Sequence, residues 1–204
     1  MFSSWVEFEL MKHIGRKIYH LFGGIGLLSV YYILGRERAL LFYGALFFIV
    51  LALDIVRLKV PSVNKFIYSR FGSFVRQNEA NKLTGTAPYV LGIGLSLFLY
   101  SAPIATAAVC FLAFGDVAAT AVGERYGKTR IGDKSLEGTA AFILAALAAG
   151  FLLTRIGIAP LPLVIVLGAL IAAGVELIPL PVNDNLVIPI VSGAAMTLAV
   201  GWFG

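Results

Sequence analysis

Asp116 is the residue whose position in this chain most calls for a chemical explanation. It stands in the segment FGDVAAT, inside an apolar run long enough to form a helix in a membrane. A carboxylate at membrane depth costs roughly 2.5–3.5 kcal/mol and usually faces the protein interior, where it often serves a function. Thr120 and Glu124 follow at intervals of four residues and extend a polar row from Asp116 towards the next loop. We therefore predict a functional role for Asp116, with helix–helix packing as the alternative.

A small-residue stripe and a basic loop accompany this row. Gly115, Ala119 and Gly123 repeat every fourth residue, which favours close packing of another helix. The loop at 123–138, GERYGKTRIGDKSLEG, places glycines among basic residues, so that its backbone and the start of the next helix can bind an anion. Lys134 is predicted to bind phosphate, and Glu137 is suited to a metal. The loop lacks GxxxxGK[ST] and is not a Walker A motif.

A third polar cluster joins the last two apolar runs. The segment ELIPLPVNDN contains Glu176, Asp184 and Asn185, with two prolines that end the preceding helix. Capping of the following helix explains one of these polar residues but not the set. We therefore predict a functional site here as well.

Further basic residues lie near the amino end and in a later loop. Arg16, Lys17 and His20 stand at the edge of the first apolar run. The absence of Cys or acidic ligands at suitable spacing argues against zinc, so His20 is interpreted as a hydrogen-bonding or phosphate-binding group. Arg76 and Glu79 are three residues apart, and an ordinary helical ion pair is the alternative to a functional role.

The composition excludes an ordinary soluble domain. Hydrophobic residues make up 59% of the chain and charged residues 13%, whereas charged residues make up about 25% of soluble domains. Apolar runs long enough to cross a bilayer of about 30 Å hydrocarbon thickness cover residues 17–34, 39–56, 86–100, 103–122, 138–154, 159–175 and 186–203. No alternating strand pattern is present. We predict an all-α, polytopic membrane bundle of about seven transmembrane helices that forms one domain over residues 1–204.

The charges predict the orientation of this bundle. With seven spans, the segment before the first run and the loops 57–85, 123–137 and 176–185 share one side, which holds every Lys and Arg except Arg36, Arg38 and Arg155. By the positive-inside rule that side is cytoplasmic. Most acidic residues fall there too, as binding of a polyanion with a divalent metal requires; solvated loops of mixed charge are the alternative.

Taken together, these motifs resemble the family of dolichol kinases, phytol kinases and CTP-dependent diacylglycerol kinases, which is distantly related to the phosphatidate cytidylyltransferases. The resemblance spans most of the chain. The matching residues are Arg16-Lys17-x-x-His20, Asp54-x-x-Arg57, Arg76-x-x-Glu79, Thr84-Gly85-Thr86, Gly115-Asp116, Lys134, Glu137-Gly138-Thr139, Glu176 and Asp184-Asn185.

This resemblance implies an enzyme that transfers the γ-phosphoryl group of CTP to the hydroxyl of a membrane lipid. An isoprenoid alcohol such as dolichol, a polyprenol, phytol or geranylgeraniol is preferred over diacylglycerol or a glycerol ether. Phosphoryl transfer needs positioning and charge neutralisation, which carboxylates with Mg²⁺ and a ring of bases provide. The bilayer, the lipid alcohol and CTP are the expected partners; nucleic acid is not, and a homo-oligomer is left open.

The resemblance also assigns roles to individual residues. The expected catalytic residues are Asp116, Glu137 and Asp184, and the expected Mg²⁺ ligands are these three with Glu176. The expected nucleotide and phosphate contacts are Arg16, Lys17, His20, Arg76, Glu79, Lys128, Lys134 and Asn185.

Two other functions stay open at this point. A cytidylyltransferase that makes a CDP-lipid shares the Gly-Asp and Lys…Glu-Gly portions, but the carboxyl-terminal Lys-Asp, HGG and Asp-Arg-x-Asp signature of that family is missing. A membrane transporter would commonly show repeated halves and broken helices near the midplane, and the sequence has no repeat halves.

Overall fold

The computed structural model describes residues 2–71 and 81–203, with the side chains of residues 15, 19–70 and 81–202. Its helices are α1 Phe2–Leu34, α2 Arg36–Lys59, α3 Pro61–Phe71, α4 Thr86–Leu99, α5 Ala102–Cys110, α6 Asp116–Tyr126, α7 Leu136–Arg155, α8 Pro162–Leu177 and α9 Asp184–Phe203. A π-helical turn, Phe111–Gly115, joins α5 to α6 in one continuous helix. The strands β1 Arg130–Ile131 and β2 Lys134–Ser135 pair antiparallel, and Gly132 supplies the positive φ of 60° in their turn.

The predicted all-α class is confirmed, since every predicted apolar run is helical and the described strands form only this short hairpin. Among the described residues, four helices are long and apolar enough to cross a membrane: Arg36–Lys59, Ala102–Tyr126, Leu136–Arg155 and Asp184–Trp202. Three apolar helices are shorter: Tyr19–Leu34, Thr86–Leu99 and Pro162–Leu177. Seven crossings therefore stay a prediction. Part of the loop predicted at 57–85 is instead helical, since it contains α3. This helix begins at Pro61, and proline is suited to the first turn of a helix.

The continuous helix Ala102–Tyr126 is the most deeply buried of the four long apolar helices and lies at the centre of the bundle. Its small residues admit α7 at close range, as the stripe predicted. A Cβ added to Gly115 would lie 2.7 Å from the Phe142 ring, and one added to Gly138 would lie 2.8 Å from the Ala119 carbonyl oxygen. This close packing holds the start of α7 against α6. The π turn ends immediately before Asp116, and such turns are frequent at functional sites.

A buried ion pair organises the segment that leads into α4. Arg57 donates to Asp54 Oδ1 at 3.1 Å, to Asn64 Oδ1 at 3.1 Å and to the Lys82 carbonyl at 2.6 Å. Asp54 Oδ2 accepts from the backbone N–H of Thr84 at 2.8 Å and from its hydroxyl at 2.7 Å. These bonds satisfy both charged groups and fix α2, α3 and the start of α4 relative to one another.

Candidate active site

A charged cavity of about 420 Å³ lies where α6, the hairpin, the start of α7, the end of α8 and the start of α9 meet. The polar row predicted on α6 forms one wall, with Asp116, Thr120 and Glu124. Charged residues from the hairpin and from the last two helices complete the lining: Arg130, Asp133, Lys134, Glu176 and Asp184. Four predicted site residues that are distant in sequence thus share one cavity.

Lys134 is the electrostatic centre of this cavity. Its Nζ lies 2.8 Å from Glu176 Oε1 and 2.8 Å from Asp184 Oδ2. Burial disfavours the charge on this lysine, but the neighbouring Asp184 and Glu176 carboxylates outweigh that effect and raise the pKa of Lys134 above its ordinary value. Lys134 is therefore an ammonium at neutral pH, and it connects β2 to both acidic helix ends.

The start of α7 holds this arrangement in place. Ser135 caps the helix, because its hydroxyl accepts a hydrogen bond from the Gly138 N–H at 3.1 Å. One turn further, the Thr139 hydroxyl lies 3.1 Å from the Ser135 carbonyl and 3.4 Å from Glu176 Oε2. Glu176 is 3% exposed. Its two carboxylate oxygens thus face Lys134 on one side and Thr139 on the other.

Asp116 lies at the inner end of the cavity, beside α1. Its Oδ2 is 3.5 Å from His20 Nδ1, and both residues are buried. The backbone of His20 is held in turn by Tyr89 of α4, whose hydroxyl donates to the His20 carbonyl oxygen. This pair places an imidazole within ion-pair distance of a carboxylate at the junction of three helices.

Besides His20, three predicted site residues with described side chains lie outside the cavity lining. Glu137 points towards the loop instead, and its two carboxylate oxygens accept from the Thr129 N–H at 3.2 and 3.3 Å. Asn185 is buried and donates to the Gly85 carbonyl at 3.1 Å, so it ties α9 to the residue before α4. Lys128 is exposed on the loop that follows α6. Glu137 thus does not line the cavity with Asp116 and Asp184, and its convergence with them around a bound nucleotide stays a prediction.

Other predictions fall where the structure gives no side-chain geometry. Arg76 and Glu79 lie outside the described residues, and for Arg16 and Lys17 only the helical backbone of α1 is described. Their roles stay predictions.

The structure also adds residues to which the sequence analysis assigned no role in the site. Arg130 and Asp133 line the cavity from the hairpin, and Thr139 contacts Glu176 from α7. Tyr89 supports His20 across a separation of 69 residues. The motif Glu137-Gly138-Thr139 signalled Thr139, whereas no local pattern pointed to Tyr89, because its partner is remote in the chain.

Mg²⁺ fits the donors of this cavity if phosphate oxygens and water supply the rest of its ligands. Glu176 and Asp184 contact the same ammonium, so one cation is within reach of both carboxylates. Among the described residues, no three His, Cys, Asp or Glu side chains are close enough to hold a metal ion by themselves. Mg²⁺ in nucleotide enzymes commonly uses one or two carboxylates together with phosphate oxygens and water. The cavity fits that mode and not a closed cage of the four predicted carboxylates.

Comparison with known proteins finds three relatives that carry the name of one activity. The chain is 31% identical over 157 residues to CTP-dependent diacylglycerol kinase 1 of Eremothecium gossypii, covering 72% of this chain and 48% of that protein. It is 27% identical over 160 residues to the Schizosaccharomyces pombe protein of the same name, covering 71% and 73%. For the Saccharomyces cerevisiae protein of that name the identity is 28% over 128 residues, covering 61% and 43%.

The chain thus spans less than half the length of the Saccharomyces and Eremothecium relatives. No family profile and no solved structure matches it. The three relatives carry one name, and the alignments cover most of the chain. The chain is therefore a homologue of the CTP-dependent diacylglycerol kinases, as the resemblance of its motifs to that family predicted.

Proposed function

We propose that this protein transfers the γ-phosphoryl group of CTP to the hydroxyl of a membrane lipid alcohol, with diacylglycerol as the first candidate. The observation that carries the proposal is the cavity in which Lys134 joins Glu176 and Asp184 close to the buried Asp116. The names of the relatives support both the donor and the acceptor. They lend no support to the isoprenoid preference predicted from the sequence, and they do not favour a cytidylyltransferase or a transporter.

The charges of the cavity suit a triphosphate that enters with a divalent cation, because carboxylates outnumber the basic side chains in the lining. Arg130 and Lys134 are its basic lining residues, and Lys134 lies just before α7, whose amino-terminal amides carry partial positive charge. When the nucleotide enters, we expect the Lys134 ammonium to turn from the carboxylates to the phosphates. Glu176 and Asp184 are the residues that would hold Mg²⁺, and the ion when bound would supply further neutralisation of phosphate charge.

Asp116 is the proposed general base. The lipid hydroxyl oxygen attacks the γ-phosphorus, a new O–P bond forms, and the bond from that phosphorus to the β–γ bridging oxygen breaks, so that CDP leaves. The hydroxyl proton passes to the Asp116 carboxylate. His20, 3.5 Å from Asp116 Oδ2, positions that carboxylate and shares the proton after transfer.

The position of the cavity on the apolar helices agrees with a lipid acceptor. The cavity lies at the ends of four apolar helices, so a lipid can keep its tail in hydrocarbon while its hydroxyl reaches Asp116. We propose that this end faces the cytoplasm, where the positive-inside rule places most of the basic residues. Arg16, Lys17, Arg76 and Glu79 are proposed to contact the nucleotide from the same side.

The deciding experiment uses purified protein, Mg²⁺ and CTP labelled at the γ-phosphate, with diacylglycerol, a polyprenol and phytol as separate acceptors. A kinase places the label in the lipid, whereas a cytidylyltransferase releases it in pyrophosphate. Label in pyrophosphate, or no label transfer to any acceptor, would contradict the proposal. Label in the isoprenoid alcohols alone would restore the preference first predicted from the sequence.

A further inference from the structure

A second cavity, of about 730 Å³, lies between α1, the continuous helix Ala102–Tyr126 and α7. Apolar residues dominate its lining, and its polar groups are largely satisfied within the protein. The Tyr32 hydroxyl bonds the Thr106 hydroxyl at 2.8 Å, and the Ser29 hydroxyl donates to the Ile25 carbonyl at 2.8 Å. The remaining surface therefore offers hydrocarbon contacts almost exclusively. We call this cavity the side groove.

The side groove opens sideways from the bundle. Among its lining residues, Ile33 is 79% exposed and Leu152 is 62% exposed. Both side chains stand on apolar helices, where a membrane protein meets lipid hydrocarbon and not water. A lipid tail can thus enter the side groove from the bilayer without crossing a polar surface.

One end of the side groove leads to the proposed reaction site. On the central helix this end is marked by Phe114, and the next polar residue towards the charged cavity is Asp116. On α1 it is marked by Ile25, and the next polar residue in that direction is His20. His20 and Asp116 are the pair that lie 3.5 Å apart. From Phe114 to Thr106 the lined part of the helix covers about 12 Å at the ordinary rise per residue.

We propose that the side groove binds one acyl chain of the diacylglycerol acceptor and so places its hydroxyl beside Asp116 and His20. This inference rests on the proposed function. A groove of this shape grips the tail through burial of hydrocarbon and leaves the polar end of the lipid free to react. It therefore determines the affinity for the lipid and has no part in binding CTP.

Two tryptophan substitutions on α7 test the side groove. Ala148 lines it, whereas Leu144 is exposed on the same helix outside it. Ala148→Trp should raise the KM for diacylglycerol in mixed micelles about tenfold, equivalent to about 1.4 kcal/mol, and leave the KM for CTP unchanged. Leu144→Trp should leave both values within about twofold, a factor worth less than about 0.5 kcal/mol. An unchanged lipid KM in Ala148→Trp, or an equal rise in Leu144→Trp, overturns the proposal.

A second measurement needs neither turnover nor a variant. A diacylglycerol with a photoactivatable group in one acyl chain is irradiated with the wild-type protein in nanodiscs without CTP. Crosslinks should map to side-groove residues of α1 and α7 and should be reduced by unlabelled diacylglycerol. Crosslinks elsewhere, side-groove crosslinks competed only by a polyprenol, or a groove covered by a second copy of the chain would contradict the assignment. Because this assay omits CTP, groove crosslinking without kinase activity would overturn the proposed function alone.

Discussion

Replacement of Lys134 by methionine removes the ammonium that joins Glu176 to Asp184 and retains much of the apolar bulk of the side chain. Removal of one member of a buried ion pair costs about 3–5 kcal/mol, because the remaining charge is left unpaired. The side chains of Lys134 and Asp184 are 26% and 25% exposed, so solvent screens part of that loss. We expect a destabilisation of about 2–3 kcal/mol. For a chain of this size that lowers Tm by roughly 4–12 °C.

Mg²⁺ should reverse part of this loss in Lys134→Met. Without the ammonium, the two carboxylates are free to bind a divalent cation even when no nucleotide is present. A cation at about ten times its Kd stabilises the folded state by about 1.4 kcal/mol, which raises Tm by roughly 3–6 °C. In the wild type the ammonium competes for the same carboxylates, so the gain should be smaller.

The assay is thermal unfolding of the purified protein in detergent, first with a chelator and then with increasing Mg²⁺. Lys128→Met is the matched control, because Lys128 is exposed outside the cavity. Its Tm and its response to Mg²⁺ should equal those of the wild type. Equal stability of Lys134→Met and wild type, or the same Mg²⁺ gain in both, would refute the proposed competition between the lysine and the metal.

Further predictions concern the reaction, the donor, phosphate binding and the packing. Asp116→Asn should lower kcat by about a hundredfold or more with little change in Tm; near-normal turnover would exclude the base role. Unlabelled CTP, but not ATP, should suppress transfer from labelled CTP, and equal competition would overturn the donor assignment. In kinetic assays, Lys134→Met should lower kcat/KM for CTP about ten- to a hundredfold. Arg38 is exposed near the start of α2, so Arg38→Ala should leave kcat/KM for CTP unchanged. An equal loss of kcat/KM in Arg38→Ala would argue against a nucleotide site that contains Lys134. Gly115→Ala should destabilise the protein by about 1–3 kcal/mol through the Phe142 ring, whereas Gly174→Ala, with open space around the added methyl, should not; equal Tm values would contradict the packing argument.

Most of the helices could be predicted, because the length of an apolar run can be read from a short stretch of sequence. Each apolar run became a helix, since a bilayer leaves no other simple way to satisfy the backbone. The stripe of Gly115, Ala119 and Gly123 predicted a close neighbour for the same reason, because the absence of side-chain bulk can be seen in the sequence alone. The hairpin and α3 were missed, as both are short and weakly patterned.

The partners of individual polar residues could not be predicted in the same way. Glu137 and Glu176 are both acidic residues at ends of apolar helices, yet one bonds the Thr129 amide and the other bonds Lys134. Asn185 lies next to Asp184 in sequence, but successive residues of a helix point in different directions, so it bonds Gly85 instead of lining the cavity.

The sequence by itself determined that this is a helical membrane protein whose acidic and basic motifs resemble those of a lipid kinase family, because composition, hydrophobic length and motif spacing are properties of the linear chain. Only the tertiary structure decided that Lys134 lies between Glu176 and Asp184, that His20 lies against Asp116, and that a side groove ends beside that pair. These contacts join residues from different helices. Their distances depend on how the helices pack, and helix packing is a property of the whole bundle and not of any segment.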